Sequence, residues 1–204
     1  MLGEVGIITE DDCKIISNEL KNILEEIKNN KLKIDLDEED IHSFVENELT
    51  RRVGDVGKKL HTARSRNDQC ALDLRLYSKK SLIIIKSEIK KLIETIIEIA
   101  QKNKETIMPG FTHMQHAQVT TFAHYILSYG QMLSRDLDRL TETFDRLDEN
   151  PLGSCALVTT SFNIDRFMTT ELLNFKKPTE NSMDSVSDRD YVLEILFNNS
   201  VIMT

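Results

Sequence analysis

A chain of 204 residues with 40% hydrophobic and 29% charged residues can bury a core of one domain, or of one and part of another. Its 26 Lys and Arg against 34 Asp and Glu give a formal charge of -8, which speaks against a general nucleic-acid or membrane-surface role; any anion site must be a local basic pocket. The three cysteines, Cys13, Cys70 and Cys155, are far apart and odd in number, with neither metal-ligand spacing nor a disulfide framework, and point to a reducing compartment.

The start, Met1-Leu2-Gly3-Glu4, has no basic segment followed by an apolar one, so no secretion signal is expected, and no apolar run is long enough to span a membrane. Seven Gly, three Pro and much Leu, Ile, Lys and Glu favour long helices. Thr9-Glu10-Asp11-Asp12 reads as a helix start, a capping hydroxyl followed by acids, and Ile16, Leu20, Ile23, Leu24 and Ile27 fall on one face. Ile34-Asp35-Leu36-Asp37 is a short connection. Asp37-Glu38-Glu39-Asp40 opens a second helix with Ile41, Phe44, Val45 and Leu49 as its buried stripe. His42 lies beside that stripe, with Glu46 one turn on, the spacing of a surface pair. Gly54 and Gly57 flank a turn.

His61-Thr62-Ala63-Arg64-Ser65-Arg66-Asn67-Asp68-Gln69 gathers polar groups before a long apolar-periodic run, where unpaired helix N–H groups favour anions and the arginines offer forks that fit carboxylates. The same residues also read as an ordinary cap with solvated arginines. From Asn67 to about Lys102 there is neither Gly nor Pro, and Leu72, Leu76, Ile83, Leu92, Ile93, Ile96 and Ala100 keep a stripe. The extra isoleucines of Ile83-Ile84-Ile85 and Ile96-Ile97 imply packing on several sides, in a bundle or subunit interface. Met108-Pro109-Gly110-Phe111-Thr112-His113-Met114-Gln115-His116 breaks the pattern and presents Thr112 and His113 at the rim of the next helix, expected from Val119 to about Leu147. That helix should turn Phe122, Ile126, Met132, Leu133, Leu137, Leu140, Phe144 and Leu147 inward, and Arg135, Asp136, Asp138 and Arg139 outward. Asn150-Pro151-Leu152-Gly153-Ser154 is a loop, a short helix follows near Asp165 to Leu173, and another loop runs through Pro178. Asn181 to Asp190 is a third polar cluster, and the helix from Tyr191 is still running at Thr204, which reads as an incomplete chain.

Nucleotide-binding glycine loops and the His-Glu-x-x-His metal motif are absent from this sequence. The inventory of arginines, amides, hydroxyls and histidines at helix ends suits proton transfer on a small, carboxylate-rich substrate, while metal and nucleotide chemistry are poorly supported.

His61 to Gln69 closely resembles the first signature of argininosuccinate lyases, Met108 to Gln118 resembles that family's second block, and Pro151 to Leu157 and Asn181 to Asp190 match later blocks in order. The resemblance implies an all-α, long-helix bundle of the fumarase/aspartase superfamily, truncated here. Residues 1–63 would be a partial N-terminal helical domain and 64–204 an incomplete central bundle domain. It implies reversible β-elimination of argininosuccinate to arginine and fumarate in arginine biosynthesis or the urea cycle, in a cytoplasmic homotetramer with sites shared between subunits. By similarity His113 is the proton-transfer residue, on the acid side; Arg66, Asn67 and Thr112 contact substrate, Arg64 and Ser65 support them, Gln115 orients neighbours, and His42 falls at the family's other histidine near the site. Asp188 and Arg189 resemble a family ion pair that fixes helix ends, although ordinary structural charges are the preferred reading of the two. Val119 stands where the family has proline, and Cys155 and Thr159 where it has small residues. The family's base-carrying mobile loop would lie beyond Thr204, so the chain by itself is expected to be inactive. A crystallin-like structural protein, another fumarate-yielding lyase and a pseudo-subunit are the competing readings.

Overall fold

A computed structural model describes residues 1–35 and 37–204; Leu36, in the expected connection, lies outside the described residues. The chain divides into two compact units, Met1–Leu72 with Glu149–Ser187, and Asp73–Asp148 with Asp188–Thr204.

In the first unit, α1 (Glu10–Lys28) starts at Thr9, whose hydroxyl accepts from the Asp12 N–H while the Asp12 side chain accepts from Thr9 N–H, a complete capping box. α2 (Ile41–Val53) is capped by the Asp40 carboxylate on Ser43 N–H. Ile16, Ile23 and Leu49 are buried between these helices, joined by Leu20, Ile27, Val53 and Leu60. Leu24 and Ile41, expected inside, are about half exposed, because the buried stripe is narrower than the run of apolar residues. The turn expected at Gly54–Gly57 is a short helix, α3 (Asp55–Lys58), and Gly57 is pressed on α2: a Cβ there would sit 2.9 Å from Thr50 Cα.

α4 (Arg66–Lys102) runs for 37 residues, about 55 Å at 1.5 Å per residue. Its most buried positions include Leu72, Arg75, Lys79, Leu82, Ile89, Ile96 and Ala100, set three, four or seven residues apart, the heptad spacing of a helix seam. Ile83 and Leu92, expected on the stripe, lie off that seam and are about half exposed, as are Ile84 and Ile97. In the second unit Leu82, Ile89, Leu140, Leu147 and Tyr191 form the core, drawn from α4, α5 (Phe122–Leu147) and α8 (Asp190–Ile202). Arg75 donates to Leu147 O at 2.9 Å and to Asp188 Oδ2 at 2.6 Å, with its guanidinium 4.7 Å from the Tyr191 ring centroid. Lys79 pairs with Asp148. The acid of Asp188 is thus matched by Arg75, while Arg189 Nη1 donates to the Asp188 carbonyl.

Helix α5 begins three residues later than expected. Before it, β1 (Ile107–Thr112) and β2 (Gln115–Thr121) pair antiparallel, Thr112 opposite Gln115 and Ile107 opposite Thr121. The β-branched run Val119-Thr120-Thr121 continues the strand, and Thr121 then caps the helix by accepting from His124 N–H. Within α5, Asp136 is buried and bonded to Arg139 at 2.5 Å, and Met132 is exposed, the reverse of the expected facing for both.

The remainder of the first unit is loop-rich. β3 (Glu149–Asn150) pairs in parallel with β4 (Lys177–Pro178), α6 (Arg166–Leu172) is capped by Asp165, and α7 (Ser182–Ser187) follows. No helix among the described residues is long and apolar enough to cross a membrane.

Candidate functional site

The candidate residues fall into two groups, one in each unit. The first is the turn that starts α4. Ala63 takes a left-handed backbone (φ 58) and reverses the chain. Ser65 then caps the helix: its N–H donates to Asp68 Oδ1 at 3.0 Å and its Oγ accepts from Asn67 N–H at 3.3 Å. Asn67 is exposed, so its amide is presented to solvent at the N–H-rich end of a long helix.

Arg66 is not a free fork. Its Nε lies 3.1 Å from Asp40 Oδ2, and Nη1 donates to Gln69 Oε1 at 2.6 Å and to Glu46 Oε1 at 3.2 Å. Glu46 also meets His61 Nδ1 at 2.9 Å. Burial opposes the charge of Glu46, but hydrogen bonds from His61 and Arg66 outweigh it and hold the carboxyl below its usual range. Asp40 is held low first by the Ser43 backbone N–H, then, against burial, by the Ser43 hydroxyl and by the charge of nearby Arg66. Glu46, one turn on from His42, is engaged by His61 and Arg66.

Arg64 turns inward. Its Nη2 donates to Leu60 O at 2.6 Å, while its buried Nε has no hydrogen-bond partner among the described residues. Desolvation pushes this guanidinium below its ordinary range. Arg64 also borders a cavity of about 220 Å³ lined by Ile8, Cys13, Leu60, Leu152 and Ile164. The lining is mostly hydrocarbon, with Ser17, Thr62 and Thr169 also on it, so the cavity does not suit a highly charged anion.

The second group sits on the hairpin. His113 (φ 49) and Met114 (φ 63) are the two central residues between Thr112 and Gln115, both left-handed as a type I′ turn requires. Neither is the Gly or Asn that such a turn prefers, so the backbone there is strained. Thr112, His113 and Gln115 are all exposed. Thr112 ends β1 and His113 sits in the hairpin turn beside it, neither on the rim of a helix, which corrects the expected placement.

Asp68 is the residue whose importance was missed. Its side chain is fully buried, and besides Ser65 N–H it accepts from Gly153 N–H at 2.9 Å and Cys155 N–H at 2.8 Å. The Ser-x-x-Asp spacing from Ser65 signals a capping box, but nothing in the sequence pairs it with residue 153. Arg166 is equally silent in sequence; it reaches Leu152 O at 3.2 Å and Thr179 Oγ1 at 2.9 Å and so braces the same loop. No group of three or more His, Cys, Asp or Glu able to hold a metal ion occurs among the described residues.

Residues 2–204 match the sequence profile of the Lyase family, and the chain belongs to that family. It is 52% identical to an argininosuccinate lyase of Caldicellulosiruptor saccharolyticus over 99% of this chain and 44% of that protein. It is 53% identical to an argininosuccinate lyase of Clostridium perfringens over 100% of this chain and 44% of that protein. Among solved structures, EDDS lyase in complex with formate superimposes with a TM-score of 0.89 at 29% identity, over 100% of this chain and 40% of that one. The fold is that of the fumarase/aspartase superfamily. The chain spans under half the length of the curated relatives it matches.

Proposed function

We propose that the protein is an argininosuccinate lyase, a carbon–nitrogen lyase that cleaves argininosuccinate reversibly to arginine and fumarate. The likeness to argininosuccinate lyases along the whole chain carries this reading. The chemistry is a β-elimination. A base removes the proton from the carbon beside a carboxylate, and the carbanion is held as an aci-carboxylate by preorganised donors. The carbon–nitrogen bond then breaks, its electron pair leaves on the guanidino nitrogen, an acid protonates that nitrogen, and the fumarate double bond forms.

His113 is the acid. Its exposed, strained seat on the hairpin loop suits a group that meets substrate. Thr112 and Asn67 contact substrate carboxylates. Arg66, Arg64 and His42 bring basic side chains to the start of α4, Ser65 caps that helix, and Gln115 orients the hairpin. The base is assigned to none of these 204 residues, and we infer that by themselves they turn over little or no substrate. Cofactor and metal are not needed for these steps.

Residues 1–63 would belong to an N-terminal helical domain and 64–204 to a central bundle domain. We also infer a cytoplasmic homotetramer whose sites take residues from several subunits. The exposed apolar residues of α4 and α8, such as Ile83, Ile84, Leu193 and Phe197, support burial against other copies. The test is to purify the protein at its natural length, supply argininosuccinate, and follow fumarate by ultraviolet absorbance and arginine by chromatography. Release of both in equal amounts is expected; no product from argininosuccinate, with fumarate formed from another amino-substituted succinate, would overturn the substrate.

A further inference from the structure

We propose that Asp68 is a positioning residue, which locks the turn carrying Asn67 to the loop at Gly153–Cys155 and so sets where Asn67 meets substrate. This rests on the lyase reading above. A helix cap alone needs one carboxylate oxygen, and Oδ1 of Asp68 meets that need by accepting from Ser65 N–H. Oδ2 does something a cap does not require: it accepts two N–H groups, from Gly153 and Cys155, 85 and 87 residues away in the chain.

Two amides with one residue between them can converge on a single oxygen only in a concave backbone. Gly153 (φ 95) and Cys155 (φ 54) supply that concavity, an arrangement that serves elsewhere to cradle anions. Here the cradled anion belongs to the protein. Gly153 has no room for a side chain, since a Cβ would meet Ile164 Cδ1 at 2.8 Å and Arg166 Cγ at 2.9 Å. The loop is fastened in turn by Ser154 Oγ, buried and bonded to Ser185 Oγ at 2.8 Å. Asp68 thus ties its turn to a fixed body. Consecutive helix residues point about 100° apart, so with Asp68 anchored inward, Asn67 is held outward at a fixed azimuth. Any relaxation of the Asp68 cradle rotates or lifts Asn67.

The experiment is steady-state kinetics of D68N in the protein at its natural length, beside wild type. Asn keeps the size but turns an amide N–H group toward N–H donors on one side, so part of the cradle is lost while the residue still fits. The expected result is a KM for argininosuccinate raised about tenfold, with a smaller fall in kcat, in protein whose circular dichroism and assembly mass match wild type. A role in folding alone would instead lower the active fraction and leave KM within about twofold, and that result overturns the proposal. Should D68N not fold, amide exchange of the wild-type enzyme decides. Saturating arginine and fumarate should slow exchange at Gly153 and Cys155, because the turn and loop respond together; unchanged exchange there overturns the proposal. Absence of lyase activity in the wild-type enzyme defeats the function itself and this inference with it, whereas active wild type with an unaltered D68N defeats only the role of Asp68.

Discussion

Replacing Arg52 by methionine tests what holds α1 to α2. Arg52 reaches three acids: Nε lies 2.6 Å from Glu48, Nη1 2.9 Å from Glu19, and Nη2 2.8 Å from Glu26. Glu19 and Glu26 belong to α1, Glu48 to α2, so one guanidinium bridges both helices. Its side chain is 17% exposed. An exposed pair contributes under about 1 kcal/mol, and breaking a fully buried one costs 3–5. Arg52 lies between these limits and solvent reaches its partners, so R52M should cost about 2 kcal/mol at neutral pH. The acid dependence adds a second readout. Hydrogen bonds from Arg51, opposed by burial and aided by Arg52, bring the Glu48 carboxyl from 4.5 to about 2. Arg52 also holds Glu19 and Glu26 below their ordinary values. Stabilisation from depressed carboxylates is present above pH 4.5 and fades as the pH falls toward 2. The wild type should therefore lose more stability than R52M over that window, and the gap should close. Urea melts of both proteins, at neutral pH and at about pH 3, measure it. A gap under about 0.5 kcal/mol at neutral pH, or one that does not change with pH, would refute the bridging role.

Thr159 holds a left-handed backbone (φ 65) with a β-branched side chain. T159G should raise stability by about 0.5–1 kcal/mol, the relief of left-handed strain less the added freedom of glycine in the unfolded chain, read as a higher melting temperature. Arg75 is 4% exposed between Leu147 O, Asp188 and the Tyr191 ring. R75M should cost about 3 kcal/mol, and the cycle with D188N should show coupling above about 1 kcal/mol in urea melts. In the protein at its natural length, H113N should lower kcat about a hundredfold or more with a melting temperature no lower than wild type, since the side chain is exposed, asparagine suits the left-handed turn and His113 is the proposed acid; equal kcat would remove His113 from the chemistry.

Much of the helical part was legible because its signals are local. Thr9 and Asp12 form the capping box their spacing announces, and the span free of Gly and Pro after Asn67 is one helix. What failed was facing. Along α4 the buried seam follows a heptad, and it takes in Arg75 and Lys79, which a count of apolar residues passes over. Their burial depends on acceptors at residues 147, 148 and 188, and no window along the sequence contains those partners. The hairpin was missed for a related reason. Val119-Thr120-Thr121 fits a helix start as well as a strand end, and pairing with residues 107–109 decides the matter.

The candidate site carries one further signature that sequence alone could not show. Among the described residues, seven other than glycine have positive φ. Asn30 and Asn174 follow helix ends, where a left-handed residue closes the helix and asparagine tolerates it. The other five are Ala63, His113, Met114, Cys155 and Thr159, and none is a residue type chosen for that conformation by backbone preference alone, except histidine in part. They lie beside or within the signature turn, on the hairpin loop, and on the loop cradling Asp68. A fold under no other demand would place glycine at such positions, because the strain is relieved at no loss of contact wherever the side chain is exposed, as at Met114 and Thr159. That strained backbone gathers in or beside the sequence blocks of the proposed site, while the helices between them are regular, supports the roles proposed for those blocks.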